Sequence, residues 1–185
     1  GGSADTLFAL NPDGTEKWNY PADGDILSIA LTGNILYFTH NGGRNIVSVN
    51  ATNGALNWSL PHGAFTGGSM AIDADNTVYF QGDLGGGAGK IWAIKSDGTE
   101  KWSFPLTGSA SRGGVVLSSD GTLYASTKET SDHFRAINSA DGTEKWSYTT
   151  QGKLSAAAAV DSDGNVYIGG EDDSLYVLDS SGNLK

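Results

Sequence analysis

The stretch that decides the fold is residues 136–146, Ala136-Ile137-Asn138-Ser139-Ala140-Asp141-Gly142-Thr143-Glu144-Lys145-Trp146. Its last six residues occur three times in the chain, and a related stretch, residues 53–58, follows the same phase. The four copies end at Trp18, Trp58, Trp102 and Trp146. Because these tryptophans are 40, 44 and 44 residues apart, the chain is built from an internal repeat.

A ladder of tyrosines has the same period, and each tyrosine lies in a short apolar run. Its members, 42, 45 and 43 residues apart, are Tyr37, Tyr79, Tyr124 and Tyr167. The start of the chain also matches its end, since residues 1–10 align in register with residues 169–178. We therefore expect one repeat domain over residues 1–185, with units of about 42 residues and with residues 169–185 overlapping the first unit. The predicted units are 1–24 (partial), 25–66, 67–110, 111–153 and 154–185 (partial).

One repeat unit illustrates the strands that are predicted for every unit. Short runs with alternating apolar residues are separated by turn signals, as expected for antiparallel hairpins. The predicted strands are 69–73, 77–81, 90–95 and 100–104, and the glycine-rich segment 83–89 is predicted to be a loop. A period near 40–50 residues with four strands per unit is typical of a β-propeller. The sequence therefore predicts an all-β fold of four-stranded antiparallel blades.

Composition excludes several classes of protein. The chain has 185 residues, 27 of them glycine, and no apolar run approaches the ~18 residues that span a membrane. The net charge of −10 argues against nucleic acids and anionic membranes, both of which select basic surfaces. With no cysteine, the chain has no disulfide framework, thiolate metal site or thiol nucleophile.

Residues 136–146 resemble the tryptophan-docking motif of the PQQ-like (quinoprotein-type) β-propeller repeats, roughly Ala-x-Asp-x-x-Thr-Gly-x-x-x-Trp. Residues 48–58 keep this spacing, whereas residues 93–102 and 9–18 are one residue shorter. The resemblance covers essentially the whole chain, and it implies that the tryptophan of one blade packs on its neighbour, where a glycine leaves room for the indole. It assigns this structural docking role to Trp18, Trp58, Trp102, Trp146, Gly14, Gly54, Gly98 and Gly142.

The resemblance does not imply quinone binding. PQQ dehydrogenases of this type add a vicinal Cys-Cys disulfide, a calcium-ligating Glu/Asn/Asp set and normally eight blades, and this chain has no cysteine at all. We therefore expect no cofactor, no metal site and no catalytic residue. Other members of the family are non-catalytic, so the expectation is a scaffold or binding module for proteins or ligands. The alternative is a propeller enzyme of the polysaccharide lyase or glycosidase kind, and a PQQ-dependent dehydrogenase is least favoured.

The resemblance also implies a place outside the cytoplasm, periplasmic or secreted, although the sequence shows no signal peptide. In a propeller, the loops that join strand two to strand three and strand four to the next blade share one face. These loops differ between the repeats, so we expect any function to lie there. The candidate binding residues of this face are His40, Arg44, His62, Arg112, Lys128, His133 and Lys153.

The number of blades in the assembly stays open. About seventeen strands are expected, whereas four closed blades need sixteen. The chain is a fragment of a six- to eight-bladed propeller or an engineered repeat protein, a closed four-bladed ring with a shared blade, or half of a two-chain ring. We favour the first interpretation, because an open disc exposes apolar blade faces and self-associates through them.

Overall fold

The computed structural model describes residues 5–127 and 133–185. Every regular element within these residues is a β-strand. The first ten strands are β1 (Thr6–Leu10), β2 (Glu16–Pro21), β3 (Ile26–Thr32), β4 (Ile35–His40), β5 (Asn45–Asn50), β6 (Leu56–Pro61), β7 (Ala71–Ile72), β8 (Val78–Gly85), β9 (Ala88–Ile94) and β10 (Glu100–Leu106). The remaining seven are β11 (Ala110–Leu117), β12 (Thr122–Thr127), β13 (His133–Asn138), β14 (Glu144–Thr149), β15 (Ala159–Val160), β16 (Val166–Gly169) and β17 (Leu175–Leu178).

Strands that follow each other in sequence are also neighbours in their sheets, and all of these pairs are antiparallel. Three sheets have four strands each and contain β3–β6, β7–β10 and β11–β14. A two-stranded sheet, β1–β2, stands at one end of the described chain, and a three-stranded sheet, β15–β17, at the other. The prediction of an all-β propeller with four-stranded antiparallel blades is confirmed.

The central strands of a blade are buried on both faces, and this is where the core lies. Tyr37 and Phe38 are adjacent in β4 and so point to opposite faces, yet each is 0% exposed. Tyr37 belongs to a cluster with Val78 of the following blade, and Phe38 to a cluster with Leu7 of the preceding one. A strand covered on both sides reads as a continuous apolar run, which explains the runs around the tyrosine ladder.

The glycine-rich segment 83–89 differs from the prediction of a loop. β8 continues to Gly85 and β9 begins at Ala88, and these two residues are paired in the ladder. The turn between them consists of Gly86 and Gly87, whose φ angles are +66° and +79°. A two-residue turn with φ above zero at both positions matches the twist of a hairpin, and glycine adopts it without strain.

Each of the four repeat tryptophans reaches from the outermost strand of its blade to a turn of the next blade. There the indole Nε1 donates a hydrogen bond of 2.8–3.0 Å to a backbone carbonyl oxygen. The donor and acceptor pairs are Trp18 and Ala51, Trp58 and Ser96, Trp102 and Ser139, and Trp146 and Ser180. The polar edge of each ring is therefore satisfied while its apolar body covers the neighbouring blade.

In the turn that accepts the indole hydrogen bond, a glycine leaves room for the ring because it has no Cβ. A Cβ added to Gly142 would lie 2.7 Å from Cδ2 of Trp102, closer than van der Waals contact permits. The φ of Gly142 is +78°, which L side chains rarely adopt. Equally close approaches, between 2.6 and 2.9 Å, occur for Gly54, Gly98 and Gly182 against Trp18, Trp58 and Trp146.

At Gly14 the structure differs from the role that the sequence assigned. No heavy atom lies within 4 Å of the position that a Cβ of Gly14 would occupy. A docking glycine receives the tryptophan of the preceding blade, and none of the described residues supplies one at Gly14. The glycine that sequence reasoning missed is Gly182, although the match between the start and the end of the chain places it in the same phase as Gly14.

The tyrosine and tryptophan ladders meet in space. In three blades the tyrosine of the second strand lies 5.7–5.8 Å, between ring centroids, from the tryptophan of the fourth strand. These pairs are Tyr37 with Trp58, Tyr79 with Trp102, and Tyr124 with Trp146. The Tyr79 hydroxyl donates to the Asp73 carboxylate at 2.7 Å and lies 3.1 Å from the Ser139 carbonyl oxygen that accepts from Trp102. Two side chains of one blade therefore converge on one turn of the next.

We predict that Trp102→Ala lowers the free energy of unfolding by about 3–5 kcal/mol, because the indole is 9% exposed and the truncation leaves a cavity. Urea denaturation followed by far-UV circular dichroism measures this loss. Trp102→Phe is the matched control, which keeps an aromatic ring and loses the indole N–H, so its loss should be smaller. A loss below about 1 kcal/mol for Trp102→Ala would contradict a docking role, since ordinary surface changes are of that size.

Candidate functional site

Backbone hydrogen bonds tie the loop that leaves one blade to the hairpin of the next. Phe65, between β6 and β7, and Asp83 of β8 exchange two N–H···O bonds of 2.8 and 2.9 Å. In the last sheet, Glu171 N donates to the Lys153 carbonyl oxygen at 2.9 Å, next to a β-bridge between Leu154 and Gly170. The interblade loops and the hairpins between second and third strands therefore share one end of the propeller. We call this end the loop face and define it as residues 22–25, 40–45, 62–70, 82–89, 107–113, 150–155 and 169–173.

Arg44 joins two of these loops. Its Nη1 donates a hydrogen bond of 3.0 Å to the Gly63 carbonyl oxygen, and its guanidinium carbon lies 3.9 Å from the ring centroid of Phe65. A cation over an aromatic face at this distance is attracted by the ring quadrupole. Phe65 remains 51% exposed on its other side. The Arg44 guanidinium therefore holds the partly exposed Phe65 ring in place on the loop face.

A cleft of about 510 Å³ opens beside this pair. It is lined by residues of three successive blades and their connections: Leu27, Phe65, Thr66, Gly67, Gln81, Asp83, Ala110 and Arg112. Such a volume is within the range of small-ligand and peptide-side-chain pockets. Because the blades converge there, no single repeat contains the site.

The cleft combines charge, hydrogen-bonding groups and apolar surface. Arg112 is exposed, and Asp83 is half-buried with one carboxylate oxygen accepting from Gly85 N at 2.7 Å. Gln81 is 2% exposed and donates through Nε2 to the Ser126 carbonyl oxygen at 3.2 Å. The Thr66 hydroxyl is buried and has no hydrogen-bond partner among the described residues. Chemically, the cleft can accept both a polar group and an apolar side chain.

His62 is a half-buried residue of the loop face. Its Nδ1 accepts from Ala64 N at 3.2 Å, and its ring lies 5.2 Å from Phe80 and 5.5 Å from Trp92. The Nε2 atom is buried and has no hydrogen-bond partner in the described part of the chain. Burial lowers the pKa of His62 to about 4, and the charges of His40 and Arg44 act in the same direction.

Of the other predicted residues, the structure describes His40 and Lys153, and neither lines the cleft. His40 is 5% exposed, and its Nδ1 lies 3.2 Å from the Asp23 carbonyl oxygen, so it packs within its own blade. Lys153 is exposed at the last blade, far along the chain from the cleft. His133 begins β13, but its side chain lies outside the described part, as does the whole of Lys128. Of the seven predicted residues, Arg112 lines the cleft and Arg44 and His62 surround the Phe65 loop.

Sequence reasoning missed most residues of this region, among them Phe65, Thr66, Gln81 and Leu84. Phe65 and Leu84 are 51% and 44% exposed on the loop face. A signal for these two was present, because each is a large apolar residue within a variable, otherwise small or polar loop. Thr66 and Gln81 carried no such signal, since only the convergence of blades brings them to the cleft.

The donor atoms of the described residues do not fit a quinone with calcium. A calcium ion takes six to eight oxygen ligands, largely from carboxylates. Residues 5–127 and 133–185 bring together no group of three or more His, Cys, Asp or Glu side chains that could hold a metal ion. In the same residues, no helix has the length and apolar character needed to cross a membrane.

Comparison with known proteins identifies relatives of the repeat. A family model described as "Outer membrane protein assembly factor BamB" matches residues 1–88 and 44–185, which together span the chain. No curated protein matches the sequence.

Solved structures share the fold at low sequence identity. BamB from Moraxella catarrhalis is 15% identical with a TM-score of 0.75, over 92% of this chain and 52% of that one. A europium-containing methanol dehydrogenase is 14% identical with a TM-score of 0.77, over 97% and 46% of the two chains. The computationally designed Ika4 protein is 15% identical with a TM-score of 0.71, over 89% and 98%. This chain therefore spans about half the length of the BamB chain and of the dehydrogenase chain.

We predict that His62 makes stability depend on pH between about 6.5 and 4. The unfolded chain binds a proton near pH 6.5, whereas the folded chain resists it until about pH 4, so unfolding becomes easier as the pH falls. Between about pH 7 and 4.5 the resulting loss is about 2 kcal/mol. Urea titrations at both pH values measure it.

His62→Asn is the matched control, because an Asn side chain also accepts from the N–H two residues on and does not titrate. The pH-dependent loss should be about 2 kcal/mol smaller in this variant than in the parent. Equal losses in the two proteins would contradict a buried, neutral His62.

Proposed function

The chain belongs to the family of PQQ-like repeat β-propellers whose model is described as the outer membrane protein assembly factor BamB, and from this membership we propose that it is a non-catalytic binding module. The proposed partner is a protein segment that enters the cleft of the loop face. The observation that carries this proposal is the composition of the cleft, in which Arg112 and Asp83 stand beside the exposed ring of Phe65.

The side chains at the cleft are those that protein interfaces favour. Arginine and aromatic residues are enriched at interfaces, and residues that carry most of the binding energy are often of these types. Phe65 and Leu84 offer apolar surface, whereas Arg44 and Arg112 offer guanidinium donors. In a chain with a net charge of −10, these two arginines concentrate positive charge at one place. An extended segment with an acidic side chain next to an apolar one complements this arrangement.

The backbone around the cleft supports such a role. The segment around Phe65 is held by its double hydrogen bond to Asp83, and Arg44 fixes the adjoining Gly63 carbonyl. A surface that is ordered before binding loses less conformational entropy when a partner arrives. A protein partner thus gains affinity from a site that the blades have already shaped.

We also propose that the protein works outside the cytoplasm. The family description names an outer membrane protein assembly factor, and a chain without cysteine needs no particular redox compartment. The lyase or glycosidase alternative has no specific observation in its favour, because the cleft contributes a single carboxylate, Asp83, where glycoside hydrolysis uses two.

Selection of peptides from a random displayed library against the immobilised chain tests the proposal. Peptides that bind should be enriched in acidic and apolar residues, and calorimetry should show affinities at least roughly tenfold weaker for Phe65→Ala and Arg112→Ala. The matched control is Lys95→Ala, an exposed change in a turn at the opposite end of β9, which should leave affinity unchanged. Selected peptides that bind all three variants like the parent would contradict a binding role for the cleft.

Titration with PQQ and calcium tests the competing enzyme class. We expect no stoichiometric quinone binding, because the described residues do not supply the ligands of a calcium–quinone site. Saturable binding at one quinone per chain, seen as a shifted quinone absorbance, would overturn the proposal in favour of a quinoprotein.

A further inference from the structure

Two opposite charges line the cleft of the loop face without pairing with each other. Arg112 is exposed, and within residues 5–127 and 133–185 its guanidinium makes no hydrogen bond or ion pair. Asp83 accepts one hydrogen bond, from Gly85 N, and it is absent from the ion pairs of the described residues. A carboxylate has room for further donors, so both groups are open to a ligand.

The other two arginines of the chain are already occupied. Arg44 donates to a backbone carbonyl oxygen and lies over the ring of Phe65. Arg135 is 8% exposed and forms an ion pair with Glu144. Arg112 is therefore the arginine whose planar donors remain free among the described residues. A free guanidinium can bind a carboxylate through two parallel hydrogen bonds.

The strand geometry places the two charges on facing surfaces of successive blades. Gln81 and Asp83 are two residues apart in β8, so their side chains point to the same face of the sheet. Gln81 Nε2 donates to the Ser126 carbonyl oxygen, which identifies this face as the one that packs on the blade of β11–β14. Arg112 belongs to β11 of that blade. A ligand between the blades therefore meets a carboxylate on one wall and a guanidinium on the other.

The fold itself requires neither charge, because the equivalent residues of the other repeats differ. Asp83 lies four residues after Tyr79 of the tyrosine ladder. Arg112 lies four residues before Val116, the strand partner of Tyr124. The same count at the neighbouring junctions between blades gives Asn41 with Gly67 and Lys128 with Ser155. Of these three sequence pairs, one joins an acid to a base, so the charges serve the cleft and not the packing of the blades.

A ligand that fills the cleft has to pair both charges. Such a ligand removes water from the two side chains, and a charge that loses water without gaining a partner costs free energy. An acidic segment pairs with Arg112 but brings its carboxylate towards Asp83, and a basic segment meets the reverse conflict. The lining also includes the apolar side chains of Leu27, Phe65 and Ala110. The complementary ligand therefore carries a carboxylate, a cation and an apolar group.

Resting on the function proposed above, we propose that the segment bound by the cleft carries an acidic and a basic side chain next to each other. The acid binds Arg112, the base binds Asp83, and an apolar neighbour packs against Phe65. An extended segment sends successive side chains to opposite sides, which matches opposite charges on the two walls. The cleft thereby rejects segments that offer a single charge, since the other wall is then left unpaired.

Two substitutions remove one charge each and keep the rest of the cleft. Asp83→Asn keeps a side-chain oxygen that accepts from Gly85 N, and asparagine already stands at this place of the repeat as Asn41. Arg112→Ser introduces the residue type of Ser155. Both variants should therefore show the thermal unfolding of the parent.

A displayed library of peptides with the sequence Gly-Leu-x-x-Leu-Gly, fully randomised at both x positions, tests the inference. On the parent, an acid and a base at these positions should be enriched together. On Asp83→Asn the enrichment of the base should be lost and that of the acid kept, and Arg112→Ser should give the reverse. Asp75→Asn is the matched control, because it removes an exposed carboxylate from the turn between β7 and β8, at the end opposite the loop face. It should keep both enrichments.

Calorimetry with one synthetic peptide measures the size of the effect. Acetylated and amidated Gly-Leu-Glu-Lys-Leu-Gly should bind the parent at least roughly tenfold more tightly than Asp83→Asn. The analogue with methionine in place of lysine should not bind the parent more tightly than the variant, because it has no cation for Asp83 to pair. The four affinities form a double-mutant cycle that isolates this one contact.

The outcomes separate this inference from the function on which it rests. Enrichment of acidic residues alone, unchanged in Asp83→Asn, would overturn the inference and leave the proposed binding function in place. Peptides that carry both charges but bind equally to the parent, Asp83→Asn and Arg112→Ser would overturn it as well. If no library member binds in a way that Phe65→Ala abolishes, the proposed function and this inference both fail.

Discussion

The contact between a tryptophan and the glycine of the next blade is the constraint on which the rest of this structure depends. The indole needs a carbonyl acceptor at hydrogen-bond distance and a turn without a Cβ, and both come from one short segment of the neighbouring sheet. Because the requirement runs in one direction, from each blade to the next, it orders the blades and sets their spacing. Trp102 meets it at Ser139 and Gly142, and the ring of Tyr79 packs beside the indole in the same place.

This directional packing divides the molecule into a constrained end and a free end. The turns that receive tryptophans keep their glycine. Those at Gly98 and Gly142 also share Asp-Gly-Thr, and the Asp141 carboxylate accepts from the backbone and hydroxyl of Thr143. The loop face carries no such requirement, so its residues vary between blades and can take part in binding. The cleft beside Phe65 and Arg112 arises there, from loops that successive blades hold together. The same constraint leaves one receiver, Gly14, without a tryptophan at one end of the described chain.

The fold class could be predicted from the sequence because the residues that make the packing contacts recur in every repeat. Four tryptophans in phase and a parallel ladder of tyrosines predicted blades of four strands, and the sheets agree. Where the structure differs from a prediction, contacts between residues distant in sequence are the reason. The segment 83–89 extends a hairpin in which Asp83 also pairs with Phe65 of the preceding loop. His40 and His62 were both predicted for the loop face, and the structure shows His40 buried at 5% exposure and His62 half-buried against Phe80.

By itself, the sequence determined the repeat, the strand content of each blade and the residues able to dock, because these depend on contacts at a fixed separation along the chain. Only the tertiary structure decided which docking turns are filled, which loop residues meet at the cleft and which histidine has a buried ring nitrogen without a hydrogen-bond partner among the described residues. Those properties depend on how blades are placed beside each other, and residues as distant as Leu27 and Arg112 become neighbours only through that placement. Contacts within a repeat recur in every blade and can be recognised in the sequence. A site formed between blades occurs once and has no recurring sequence pattern.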